Sequence, residues 1–252
     1  MTLLHALAIL AVGALAGAIN TVVGAGMLFT FPLLLAFGYA PVVANVTATV
    51  GVWPGALTGA AGYRRELVEQ RGALARLLVA SVSGAALGGA LLLSLPGRTF
   101  RVVAPAFIIL ALALIVLAPR LARAQAARRA GARPRERVGP LALAAVLAIG
   151  VYGGYFGAAQ GIVLLAVLGL SLDGGLQRIN ALKVVLAGAT NFVAAVIFML
   201  AGPVAWLPAL LIAGGSLAGG VLGAKAARML PAAALRALIV AIGIFAVVRL
   251  LT

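Results

Sequence analysis

The stretch YGGYFGAAQG, residues 152–161, interrupts an apolar run that extends from about 139 to 170. A single helical crossing of a bilayer takes roughly 20 residues. The run is too long for one crossing, and four glycines, two tyrosines and a glutamine stand in its middle. Irregular backbone at membrane depth is tolerated only where it is buried in protein or lines a cavity. The run is therefore either a kinked crossing or a hairpin that enters the bilayer and returns. A second run, about 3–38, is broken in the same way by INTVVGAG, residues 19–26.

The two breaks correspond through an internal repeat. A shift of 135 positions (161 − 26) aligns the halves without a gap. It places Gly26 on Gly161, Asn45 on Asn180, Gly84 on Gly219, Gly88 on Gly223, Leu95-Pro96 on Leu230-Pro231, and Arg101 on Arg236. The coincident residues carry backbone or polar information, so shared apolarity does not explain them. Internal repeats of this kind mark secondary transporters. Each half holds four apolar segments: about 3–38, 41–63, 73–94 and 99–118, then 139–170, 176–200, 204–224 and 232–251. The expected division is a first transmembrane repeat over 1–118, a basic linker over 119–138, and a second repeat over 139–252. The linker is a surface helix or a flexible tether.

Composition agrees with a multi-pass membrane protein. The chain is 65% hydrophobic and 9% charged, where a soluble domain carries about 25% charged residues. The net charge of +15 is read as positive-inside loop arginines, not as a nucleic-acid surface. No cysteine is present, so thiol chemistry and cysteine-held metal are excluded. The single histidine, His5, cannot build a metal cluster alone. No cofactor is expected. The first 21 residues resemble a signal peptide but lack a basic n-region, and their counterpart within the chain favours a structural segment.

Charge also chooses the topology. Eight single crossings would give parallel halves and place Arg178, Lys225, Arg228 and Arg236 outside. Two hairpins plus six full crossings give inverted halves. Arg64, Arg65, Arg71, Arg76, the linker arginines, Arg178, Lys225, Arg228 and Arg236 then face the cytoplasm, leaving Arg98, Arg101 and Arg249 outside. The positive-inside rule prefers the second arrangement. The expected fold class is thus all-α and polytopic: two inverted repeats, each a re-entrant hairpin followed by three helices, with both termini outside.

The four acids, Glu66, Glu69, Glu136 and Asp173, all fall in loops or at segment ends. Cation coupling usually places ionisable acids or histidine within the membrane, and paired-carboxylate catalysis needs them as well. What the spans contain is donors: Asn20 and Thr21 at the first break, Tyr152, Tyr155 and Gln160 at the second. Asn45, Thr47 and Thr49 follow the first break, and Asn180, Lys183, Thr190 and Asn191 follow the second. Asn180 and Lys183 are three apart, with Ala187 and Asn191 at four-residue steps, so they share a helix face. Half-helix N-termini at the breaks would add backbone donors. One cation, many donors and no carboxylate describe an anion site. The bland readings are interhelical hydrogen bonds for the Asn and Thr, snorkelling of Lys183, and an interfacial belt for the tyrosines.

INTVVGAGMLFTFPLLLAFGYAPVVANVTATVGVWPGALTGAAGYRREL, residues 19–67, resembles the first-half signature of the TauE/SafE family of sulfite and sulfonate exporters. YGGYFGAAQGIVLLAVLGL, 152–170, and INALKVVLAGATNFVAAVIF, 179–198, look like its second half. The resemblance implies an exporter of sulfite or an organosulfonate in the cytoplasmic membrane. The family tends to carry a lysine at the position of Lys183. It usually has a glycine run where this chain has Gly157-Ala-Ala-Gln160-Gly161, so Gln160 narrows or retunes the site. Expected substrate-binding residues are Lys183, Asn45, Asn180, Asn20, Thr21, Thr49, Tyr155, Gln160 and Asn191. Without membrane carboxylates, the expected driving force is the membrane potential or substrate-linked proton movement. The competing expectations are an importer or channel for another small anion, and a non-transporting assembly or structural subunit. Oligomeric state is not legible.

Overall fold

The computed structural model describes residues 2–68, 70–129, 138–172, 175–226, 240–241, 244–248 and 250. Lys225 lies within it by backbone only. Glu69, Glu136, Asp173, Arg228, Leu230-Pro231, Arg236 and Arg249 lie outside it, as does much of the segment expected at 232–251. Among the described residues the protein is helical, without strands.

Each long broken run folds as two helices. α1 (Leu3–Val22) and α2 (Met27–Ala36) flank the first break; α7 (Pro140–Tyr155) and α8 (Gln160–Ser171) flank the second. Both pairs turn back. The ring of Phe37, just after α2, lies 4.5 Å from that of His5 at the start of α1. At the other break, Leu168 and Leu172 at the end of α8 share a buried cluster with Val138 and Ala142 at the start of α7. The arms are unequal. With 20 residues at 1.5 Å each, α1 is about 30 Å long, the thickness of the hydrocarbon core, whereas α2 has 10 residues. Thr2 caps α1 by accepting from the His5 N–H, 3.3 Å.

The remaining elements are α3 (Pro41–Ala61), the short α4 (Arg64–Val68), α5 (Arg71–Ser94), α6 (Gly97–Arg129), α9 (Leu176–Ala201) and α10 (Trp206–Ala226). Pro41 at the first position of α3 and Pro140 at that of α7 suit helix starts, where the missing N–H has no partner to lose. α6 continues without a break through Pro119 to Arg129, so the start of the basic stretch extends the preceding helix. Among the described residues, five helical stretches are long and apolar enough to cross a membrane: Leu3–Val22, Arg71–Ser94, Gly97–Leu117, Gln177–Ala201 and Trp206–Gly223. This is a multi-pass membrane protein. α3 has a similar length but is more polar, and its Asn45, Thr47 and Thr49 are buried in protein.

Helix contacts occur in pairs that the 135-residue shift exchanges. α1 packs on α10 as α7 packs on α5, α3 on α10 as α9 on α5, and α1 on α3 as α7 on α9. α3 also packs on α9, its own counterpart. These two run antiparallel: Trp53 meets Phe192 at 5.1 Å, and Tyr63, ten residues later, meets Asn180, twelve residues earlier. α1 and α10 run parallel, since Gly13 faces Ile212 and Gly17 faces Ser216. Glycine makes these approaches possible. A Cβ at Gly84, Gly88, Gly215, Gly219 or Gly223 would come within 3.0 Å of the facing helix backbone.

Side-chain bonds repeat the same exchange. Ser81 Oγ on α5 donates to the Leu186 carbonyl on α9 at 3.3 Å; Ser216 Oγ on α10, its counterpart, donates to the Gly51 carbonyl on α3 at 2.8 Å. Ser81 also shares a 2.7 Å bond with Thr190. We expect Ser216→Ala to cost about 0.6 kcal/mol and Ser81→Ala up to about 1.7 kcal/mol, the range for interhelical hydrogen bonds in membranes. Denaturant unfolding in detergent micelles reads both, and a larger loss at Ser216 would contradict the assignment.

Candidate functional site

The two hairpin tips touch. The Gly161 N–H donates to the Gly24 carbonyl at 3.1 Å. Gly24 has φ +82°, and its Cα lies so close to Gly161 that a Cβ on either residue would overlap the other. A left-handed backbone position and a close approach both require glycine here. Its counterpart in the second half is Ala159, which takes φ 56°. That conformation costs a non-glycine residue roughly 1–2 kcal/mol. The second break thus holds local strain where the first holds none.

Lys183 on α9 reaches across this junction. Its side chain is 0% exposed and its Cδ passes against Gly161. The ammonium donates to the Thr21 carbonyl at 2.9 Å and the Asn20 carbonyl at 3.4 Å. These belong to the last turn of α1, where carbonyls lack intrahelical partners and the helix dipole is negative. Lys183 therefore neither snorkels to an interface nor stands wholly unpartnered. Its third N–H has no hydrogen-bond partner among the described residues, and no carboxylate there accepts from it.

The other break is held by a different group. Asn45 Nδ2 on α3 donates to the Tyr155 carbonyl in the last turn of α7, at 3.0 Å. Tyr155 is the counterpart of Asn20 (20 + 135), so equivalent carbonyls at the two helix ends are capped by a neutral amide in one half and an ammonium in the other. Asn180, the counterpart of Asn45, donates to the Tyr63 hydroxyl at 2.7 Å instead. Lys183 falls opposite Ala48, and only one half carries the charge.

The remaining expected residues cluster around the second tip or stay within their own helix. Thr49 Oγ1 donates to the Asn45 carbonyl at 2.9 Å and contacts Met27 Sδ at 3.9 Å. Asn191 Oδ1 faces Gly157 at the turn. Gln160 begins α8, buried beside Gly153. Tyr155 contributes its backbone carbonyl, while its ring packs 5.9 Å from those of Phe100 and Phe107. The Tyr152 hydroxyl donates to the Ala158 carbonyl, and its ring packs 5.0 Å from Phe107. Tyr155 and Phe100 are buried and Tyr152 and Phe107 partly buried, packed on one another within the protein. Thr21 enters through its carbonyl, because its hydroxyl bonds the Gly17 carbonyl within α1.

Such a site, made of two helix breaks meeting in the middle of a helical bundle, has the build of a transporter's. The family model described as "Sulfite exporter TauE/SafE" matches residues 9–250. The chain belongs to the TauE/SafE family. It is 28% identical over 217 residues to a "Probable membrane transporter protein" of Haemophilus influenzae, covering 85% of this chain and 82% of that protein. It is 29% identical over 220 residues to the "Probable membrane transporter protein YfcA" of Escherichia coli K12, covering 85% and 77%. It is also 29% identical over 252 residues to the "Probable membrane transporter protein ORF9" of a Sinorhizobium species, covering 98% and 93%. No solved structure matches the chain. The TauE/SafE protein described here is accordingly a membrane transporter.

Sequence reasoning missed two partners at this TauE/SafE site. Tyr63 has no role in the sequence beyond its place in the 19–67 stretch, and Met27 carries no polar signal. The carbonyls of Asn20 and Tyr155 were equally hidden, since every residue owns one.

Proposed function

We propose that this protein exports a small sulfur-containing anion, sulfite or an organosulfonate, across the cytoplasmic membrane by alternating access. The observation that carries the reading is the fully buried Lys183 ammonium at the meeting point of the two tips, with a donor to spare and no carboxylate partner among the described residues. A desolvated cation in that position favours an anionic ligand. Asn45 and Gln160 bring buried amides to the second break that orient it. The family description, which names sulfite, supports the sulfur class.

The halves on this reading are two inverted repeats, 1–118 and 139–252, about an axis in the membrane plane. The antiparallel pairing of α3 with its counterpart α9 supports it, because equivalent helices that cross in opposite senses belong to inverted units. Exposed Arg64, Arg65, Arg71, Arg76 and Arg178 gather near the end bridged by the Gln70 amide and the Arg178 carbonyl, 3.2 Å apart. That end faces the cytoplasm. Rocking one half against the other would open the tips to each side in turn.

Flux from sulfite-loaded proteoliposomes tests the reading. An inside-negative potential should accelerate loss of the anion well above that from protein-free vesicles. Rates equal to empty vesicles for sulfite and for short sulfonates would refute it, and inward-only flux would reverse the direction.

A further inference from the structure

Gln160 is the buried polar residue whose chemistry the fold leaves entirely unused. It is 2% exposed, and neither its Oε1 nor its Nε2 has a hydrogen-bond partner among the described residues. Its amide lies over Gly153 so closely that a Cβ there would sit 2.7 Å from Nε2, so the bare glycine makes room for it. Asn45 flanks the same last turn of α7. Its bond to the Tyr155 carbonyl fixes which amide atom is nitrogen, because a carbonyl accepts only from N–H. Asn45 Oδ1, also buried, is therefore an acceptor without a donor. Asn180 Oδ1 is unpaired too, but the Tyr63 hydroxyl can donate or accept, so that amide settles nothing.

The unmatched groups at the breaks then comprise two carbonyl oxygens, one amide NH2 and one ammonium N–H. Buried polar groups are costly unless paired, and a membrane interior offers no bulk water to pair them. A halide or a fully deprotonated oxyanion carries acceptors alone. It would satisfy the two donors and leave both oxygens facing negative charge.

We propose that the anion bound here also carries a hydrogen-bond donor of its own, a hydroxyl, an amine or a protonated oxygen. Asn45 Oδ1 and Gln160 Oε1 accept from that donor, while Lys183 Nζ and Gln160 Nε2 donate to the charged oxygens. Gln160 is thereby a specificity-determining residue. The inference rests on the anion reading above and narrows it to hydroxyl- or amine-bearing sulfonates and hydrogen sulfite.

Isethionate and ethanesulfonate test it, since they share a two-carbon sulfonate and differ by one hydroxyl. Thermal unfolding of the purified full chain in detergent, titrated with each and with sulfite, reads affinity directly. Isethionate should bind about tenfold tighter or more, because a site built to pair a hydroxyl rejects the analogue that lacks it. Gln160→Leu should bring the ratio towards one. Equal wild-type affinities would overturn the donor requirement while leaving the anion reading standing. Binding of none of the three would overturn both. The wild-type comparison decides even if the variant fails to fold.

Discussion

Lys183→Met should weaken anion binding and slow flux sharply while leaving the protein about as stable as before. A hydrogen bond to a charged group contributes about 1.5–3 kcal/mol, and 1.4 kcal/mol is a factor of ten. Loss of the ammonium should therefore weaken binding of the anion by about 10- to 100-fold. Stability behaves differently because two terms oppose. A cation at the centre of a membrane helix costs roughly 2.5–3.5 kcal/mol on the insertion scale. Its bonds to the Thr21 and Asn20 carbonyls, at 2.9 and 3.4 Å, recover a similar amount. The methionine variant should unfold within about 1 kcal/mol of the parent, the difference between those two terms. Lys183→Arg keeps the charge and should retain part of the binding. A Lys183→Met protein that transports at the parental rate would remove the lysine from the site.

Gly219→Leu should be the most damaging single change to the fold. At that position α10 lies directly on the Ala14 carbonyl of α1, and an added Cβ would overlap backbone rather than a movable side chain. Overpacking a core costs about 1–3 kcal/mol where side chains can shift, and here they cannot relieve it. Even Gly219→Ala should lower the melting temperature in detergent clearly. Gly72→Ala supplies the opposite sign, since nothing lies within 4 Å of it and alanine in a helix is favoured over glycine by about 0.5–1 kcal/mol. Equal melting temperatures for the Gly219→Ala and Gly72→Ala proteins would mean that α1 and α10 do not meet as described.

Much of this was legible in residues 152–161 and 19–26. Run length showed that one crossing was not enough, and glycine content showed where the chain turns. The full-length first arm, α1, was not legible, because apolar residues continue unchanged through both arms and the return is marked by tertiary contacts such as that of Phe37 with His5. The glycine approaches were readable from their spacing, since no other residue lets two backbones so near. Lys183 was recognised as the decisive charge, yet its partners were not. The search for a counter-ion looks for carboxylates, and a helix end supplies the same negative field from peptide groups that every residue shares. Gln160 and Asn45 were picked out as polar residues near the breaks. That three of their amide atoms would go unpaired depended on the packing of α7, which no local pattern encodes.

The mismatch between Lys183 and Ala48 bears on why the two halves occupy one polypeptide. A homodimer of identical half-length chains must place every residue twice. A lysine in the central helix would then bring two buried ammoniums to a single junction, each repelling the other and each needing a helix end to itself. Covalent fusion of duplicated halves lifts that restriction. Once joined, one copy can keep the charge while the other substitutes a neutral amide at the equivalent carbonyl, as Asn45 does at Tyr155. The single chain is thus the condition for a single charge at the junction.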